Sequence, residues 1–270
     1  MILWGPSPAN IRSQCQAWLI ASVISVDQTL AIDLSFSWTN STVDFVATNK
    51  SSAPSINFQA LWHDPDENVL YSFGGESTWL PPISGNPPPL SVWKFAPDDR
   101  GGGRWSENTT SSDPPFSDGL IRPFGGSTTS SNNTAFYLGG YSSKQSSPKR
   151  SSGLDFIPAR GIISYSYRNG SWSNDTAAGY SQYATAEWGG VQFVPSLGPE
   201  GVLVIFGGDT STATAYSPGE YLRPMTNITV YEPRSRTWYY QNATGDSLPA
   251  ARIRMCVVGV QESSNSSYEM

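Results

Sequence analysis

Trp188-Gly189-Gly190-Val191-Gln192-Phe193-Val194 opens a stretch that runs to Trp238 and decides the fold. Its apolar run breaks at the turn residues from Pro195 to Gly201, and a second run, Val202-Leu203-Val204-Ile205-Phe206, is stopped by Gly207-Gly208. After a polar excursion, Ile228-Thr229-Val230-Tyr231 and Trp238-Tyr239-Tyr240 follow on either side of a charged turn. Short β-branched and aromatic runs between Gly/Pro-rich turns predict strands. A glycine doublet suits a place where a strand ends and the backbone turns sharply, or approaches a neighbour that a Cβ would obstruct. The stretch therefore reads as one four-stranded unit.

The same landmarks recur upstream. Phe58 to Trp62, a turn from His63 to Asn68, and Val69 to Phe73 end in Gly74-Gly75, with Ser91 to Phe95 and Trp105 beyond a Pro-rich loop. Ile121 to Gly126 begins the next unit and Ser127 to Asn133 reads as a turn. Thr134 to Leu138 then ends in Gly139-Gly140, before Gly161 to Tyr167 and Trp172. Gly74, Gly139 and Gly207 lie 65 and 68 residues apart (139 − 74, 207 − 139). From the second glycine of each doublet to its tryptophan, Gly75 to Trp105, Gly140 to Trp172 and Gly208 to Trp238, the gaps are 30, 32 and 30. Landmarks that hold register while loops vary signal a repeat architecture.

The ends are less regular. Trp18 to Val26, Thr29 to Phe36 and Val43 to Val46 read as strands without a doublet, and Arg252 to Val260 as the first strand of a further unit. This divides the chain into a partial unit at 1–54, whole units at 55–112, 113–180 and 181–245, and a start at 246–270. Cys15 and Cys256 read either as a disulfide joining the two ends or as two separate buried thiols.

Strand, Gly-Gly, polar loop and Tyr-x6-Trp together resemble the kelch repeat of β-propellers. The match is fullest at Gly207, Gly208, Tyr231 and Trp238; in the unit ending at Trp172, Tyr165 and Tyr167 read as offset from that spacing, and Phe95 replaces the tyrosine before Trp105. Trp188 to Gly208, Arg223 to Trp238 and Pro249 to Gln261 also look like the long-repeat kelch proteins of filamentous fungi. The resemblance implies an all-β, kelch-type β-propeller, here incomplete: three full four-stranded blades and partial blades at both ends. It gives structural roles to the doublets and to Trp105, Trp172 and Trp238. It also implies that the long loops emerge at one rim, where Trp79, Tyr141, Tyr180, Tyr183, Tyr216 and Tyr221 offer candidate binding groups for a protein or glycan.

Composition narrows the chemistry. Aromatics at 13% exclude a disordered chain. A net charge of −6 without a basic stripe speaks against nucleic acid as partner. No apolar run is long enough for a membrane span. Sequons at Asn40, Asn49, Asn108, Asn132, Asn169, Asn174, Asn227, Asn242 and Asn265 point to an extracellular or membrane-anchored glycoprotein, although the first residues lack a clear signal sequence. The one histidine, His63, is expected at the surface in a turn and cannot supply a two-imidazole copper site. A relative of galactose oxidase would need catalytic residues outside this chain. The acids Asp64, Asp66, Glu67, Asp98 and Asp99 read as turn residues. The expectation is a binding scaffold without catalytic residues, cofactor or metal.

Overall fold

The computed structural model describes residues 2–4, 27–77, 87–109, 120–147, 156–175, 186–210, 221–262 and 267–270. It is all-β, and none of its sheets closes on itself. A three-stranded sheet comes first: β1 (Ile2–Trp4) runs parallel to β2 (Gln28–Asp33), which pairs antiparallel with β3 (Val46–Asn49). Sheet I is an antiparallel meander of β4 (Asn57–Asp64), β5 (Val69–Glu76), β6 (Val92–Pro97) and β7 (Gly103–Thr109). Sheet II is built from β8 (Ser127–Ser130), β9 (Thr134–Leu138), β12 (Ile162–Ser166) and β13 (Trp172–Asp175). A small ribbon of β10 (Tyr141–Ser143) and β11 (Phe156–Pro158) is inserted after β9. Sheet III repeats the meander in β14 (Gly190–Val194), β15 (Val202–Phe206), β16 (Asn227–Glu232) and β17 (Thr237–Asn242). A hairpin of β18 (Val260–Gln261) and β19 (Tyr268–Glu269) ends the chain.

Alternation along each strand explains how the sheets stack. On β9, Ala135 and Tyr137 join Trp62, Tyr71 and Phe73 of sheet I in one core, while Phe136 and Leu138 join Leu203, Ile205 and Tyr231 of sheet III in another. Side chains one residue apart face opposite ways, so sheet II is packed on both faces. The unbroken apolar run of β15 has the same cause. Leu203 and Ile205 face sheet II, and Val202 and Val204 face outward onto a cluster that includes Tyr268 of the terminal hairpin. On the far side of sheet I, the Trp105 indole N–H donates to Thr29 Oγ1 at 2.7 Å and ties on the three-stranded sheet. Layers of four-stranded antiparallel sheets of this kind are in keeping with a β-propeller-like fold.

The doublets bind one sheet to the next. All six glycines have φ between +60° and +85°, the left-handed region that glycine enters without steric cost. The second glycine of each pair donates its N–H forward: Gly75 to Pro123 O at 2.8 Å, Gly140 to Ala186 O at 2.7 Å, and Gly208 to Arg252 O at 3.0 Å. Each acceptor lies on the segment leading into the next unit. The tryptophans also recur in place. Cross-strand pairs Phe95–Trp105, Tyr165–Trp172 and Tyr231–Trp238 occupy equivalent positions, with ring centroids 5.1, 4.6 and 4.6 Å apart. Trp238 is half-buried against the core shared by sheets II and III. Trp238→Ala should therefore cost about 2–3 kcal/mol in urea unfolding, below the ~3–5 kcal/mol of a fully buried ring.

The structure corrects three expectations and decides one that the sequence left open. Tyr165 has the Tyr-x6-Trp spacing (172 − 165 = 238 − 231 = 7) and faces Trp172 directly across β12 and β13. Ser127 to Ser130 is a strand: Ser127 and Thr129 are buried, with Ser127 Oγ donating to Gly189 O at 2.8 Å and Thr129 Oγ1 accepting the Phe193 N–H at 3.2 Å. Arg252 to Gly259 has no ladder pairing among the described residues, and strand pairing with β19 begins only at Val260. Cys256 is disulfide-bonded and not a separate thiol. Cys15 lies outside the described residues, as do the strand expected at Trp18 to Val26 and Asn265.

Candidate functional site

The connection from second to third strand is long in every meander, and each leaves its sheet at the doublet end. In sheets I to III it spans Ser77–Ser91, Gly139–Gly161 and Gly207–Thr226, and among the described residues each connection begins at the doublet end of its second strand. Directly after each doublet stands a buried residue, Glu76, Tyr141 or Asp209, that pairs with the segment entering the same unit. Glu187 and Asp209 exchange both backbone hydrogen bonds, at 2.9 and 3.0 Å, as Phe124 and Tyr141 do.

Beneath the rim the entry segments meet at Trp188. Phe58, Gly125, Trp188 and Arg254 occupy equivalent positions, all at φ between +51° and +70°. Trp188 N donates to Gly125 O at 2.7 Å and Arg254 N to Trp188 O at 2.8 Å. The Phe58 ring stands edge-on to the indole at 5.1 Å, and the Arg254 guanidinium lies 5.1 Å over it. A Cβ on Gly125 would come within 3.0 Å of the same indole, so glycine there makes room for Trp188. Non-glycine residues in the left-handed region cost about 1–3 kcal/mol each and persist only where packing fixes them. The aromatic hub provides that packing.

Charges are buried around this hub. Glu187 and Asp209 are fully buried, and neither oxygen of Glu187 has a well-formed hydrogen bond. Burial, reinforced by the Asp209 charge and opposed by Trp188 and Arg254, pushes the Glu187 carboxyl up to about 8. Arg223 Nη2 donates to Thr229 Oγ1 at 2.9 Å. Arg122, 2% exposed, donates to Pro88 O at 2.7 Å and Pro89 O at 2.5 Å, and burial lowers its guanidinium to about 10. Because the native state holds a proton on Glu187 that the unfolded chain releases near pH 4.5, its contribution to stability is complete below pH 4.5 and fades as pH rises through 8. Glu187→Gln should therefore flatten the loss of melting temperature over that window and be more stable than the parent above pH 8. Identical pH profiles for the two proteins would contradict this assignment.

Of the aromatic residues expected on the rim, Tyr221 is exposed and its carbonyl accepts the Thr210 N–H at 3.0 Å. Tyr141 is 1% exposed and packs with Phe124 and Trp188, so it supports the rim from within. Trp79, Tyr180, Tyr183 and Tyr216 lie outside the described residues. His63 is half-exposed in β4 rather than in the turn beyond it, 3.3 Å from Asn68 Oδ1. Asp64 Oδ1 accepts the Asp66 N–H at 3.0 Å, and Asp98 Oδ1 accepts those of Arg100 and Gly102 at 2.8 and 2.9 Å. Both acids hold turns. Among the described residues no three His, Cys, Asp or Glu side chains are grouped to hold a metal ion. No helix of the described residues is long and apolar enough to cross a membrane.

Composition gave no hint of the buried Glu187, Asp209, Arg122 and Arg223. A signal was present, however, since Glu187 directly precedes Trp188-Gly189-Gly190 and Asp209 directly follows Gly207-Gly208. Charged residues beside such fixed landmarks share their burial.

The class that the fold defines is an all-β assembly of four-stranded antiparallel sheets. No protein-family model matches the chain, and no curated protein is similar to it. Among solved structures it is similar to the structure of YjhT, with 16% identity and a TM-score of 0.47 over 80% of this chain and 52% of that one. The chain thus spans about half the length of that structure.

Proposed function

We propose that the protein is a non-catalytic, kelch-type β-propeller segment that acts as a binding scaffold, with its ligand, a protein or a glycan, held at the doublet-end rim. The observation that carries this reading is the shared exit of all three second-to-third-strand connections at the doublet end, above the packed hub at Trp188. Binding groups are commonly placed on loops that a fixed scaffold positions. An extracellular or membrane-anchored glycoprotein is the setting that suits it: the eight sequon asparagines within the described residues, Asn40, Asn49, Asn108, Asn132, Asn169, Asn174, Asn227 and Asn242, are all exposed.

The test is binding of the full chain to arrays of glycans and extracellular proteins, repeated with Tyr221→Ala/Leu222→Ala, two exposed residues of the rim. The scaffold reading expects a ligand whose signal falls at least about tenfold in the double variant, roughly 1.4 kcal/mol. Binding that ignores the rim substitutions would overturn it.

A further inference from the structure

A groove of about 200 Å³ opens between sheets II and III. Its origin is visible in the repeat. Between sheets I and II the same level is filled: Tyr71 stacks on Tyr167 with centroids 5.2 Å apart, and Lys94 Nζ lies 5.8 Å over the Tyr71 ring. Strand register makes Phe136 the counterpart of Tyr71, since both stand three residues before a doublet. Ser164, opposite Phe136, is the counterpart of Lys94, opposite Tyr71. Pro233 is likewise the counterpart of Tyr167, each two residues beyond the tyrosine that faces its tryptophan. Smaller side chains at two of the three positions, and a ring without its hydroxyl at the third, leave the space open.

What remains around that space is a distinct chemical set. Phe136 and Tyr231, 5% and 1% exposed, lie at its floor, and Ser164 Oγ and Ser173 Oγ lie 2.7 Å apart within it. Asp175 Oδ2 accepts the Tyr231 hydroxyl at 2.9 Å and its Oδ1 is 3.4 Å from Arg236 Nε, while Arg234 and Glu200 form an ion pair at the mouth. Two carboxylates offset two guanidiniums, so the groove attracts neither anions nor cations strongly. Its size is below that of pockets for drug-sized ligands, roughly 300–1,000 Å³. Planar charged groups that form directed hydrogen bonds, hydroxyls and zero net charge suit a small, neutral, hydroxyl-rich ligand.

We propose that this groove is a binding site for a single neutral sugar residue, separate from the rim and independent of the rim's function. The experiment is saturation-transfer NMR of the full chain with D-glucose, D-mannose and D-galactose in turn, compared with Ser164→Lys, which installs the residue of the filled interface. The expected result is transfer from at least one hexose at millimolar concentration, with affinity reduced about tenfold or more in Ser164→Lys and the melting curve unchanged. If Ser164→Lys does not fold, Phe136→Tyr provides the second groove-filling variant. Absence of transfer from all three hexoses, or transfer that persists undiminished in the folded groove-filling variant, overturns the proposal.

Discussion

Gly140→Ala is expected to be among the most damaging single changes in this protein, although it adds one methyl group. Gly140 has φ +83°, and a Cβ there would lie 2.4 Å from Phe124 O and 2.6 Å from Gly126 N. Both contacts are backbone, so no side-chain rotation relieves them. The left-handed conformation alone costs an alanine about 1–3 kcal/mol. The overlap must also push the entry segment of sheet II away, weakening the Gly140 N–H bond to Ala186 O at 2.7 Å. A loss of at least about 3–4 kcal/mol follows, a large part of the ~5–15 kcal/mol typical of a folded domain. Urea unfolding reads it directly, and a midpoint unchanged from the parent would remove the structural role of the doublets. Gly170 makes a useful control: it also has positive φ, but an added Cβ meets only the Tyr165 hydroxyl at 3.8 Å, so it should show the conformational cost alone.

Trp62→Ala should have a similar effect by another route. Trp62 is fully buried between sheets I and II and stacks on Phe73, with centroids 5.6 Å apart and 18° between the ring planes. Truncating a buried Trp costs about 3–5 kcal/mol through lost burial and the cavity left behind. The indole N–H of Trp62 has no acceptor among the described residues, and leaving such a donor unmet in the interior costs about 1–3 kcal/mol. Trp62→Phe removes that donor together with part of the ring, so the two effects oppose one another. Thermal unfolding should place Trp62→Phe well above Trp62→Ala. Equal losses for the two variants would mean that the indole is not buried as described.

The fold was legible where burial and backbone geometry leave marks in composition. Val202 to Phe206 read as a strand, and Gly207-Gly208 as its end at a sharp turn or close approach. The register of Tyr165 against Trp172 was equally available but was obscured by Tyr167, which fills the gap beside Tyr71 instead. Ser127 to Ser130 was not legible as a strand. Its hydroxyls are satisfied by the neighbouring sheet, so a buried strand carries the composition of a turn. Arg252 to Gly259 failed in the opposite sense: the sequence has strand propensity, but a strand requires a partner beside it. The buried charges at the hub were hidden for a related reason. Pattern reading assigns Glu and Asp to the surface, whereas Glu187 and Asp209 are placed by the repeat positions beside them. The groove between sheets II and III rests on a comparison of two interfaces, which no single stretch of sequence contains.

The central claim is that successive four-stranded sheets are joined by the second glycine of each doublet. Amide hydrogen exchange of the folded chain tests it at three named positions. The N–H groups of Gly75, Gly140 and Gly208 should exchange as slowly as those of β9 and β15, because each is bonded to the following unit at 2.7–3.0 Å. Exchange at these three glycines as fast as at exposed turn residues such as Arg168 or Ser235 would contradict the stacking of the sheets.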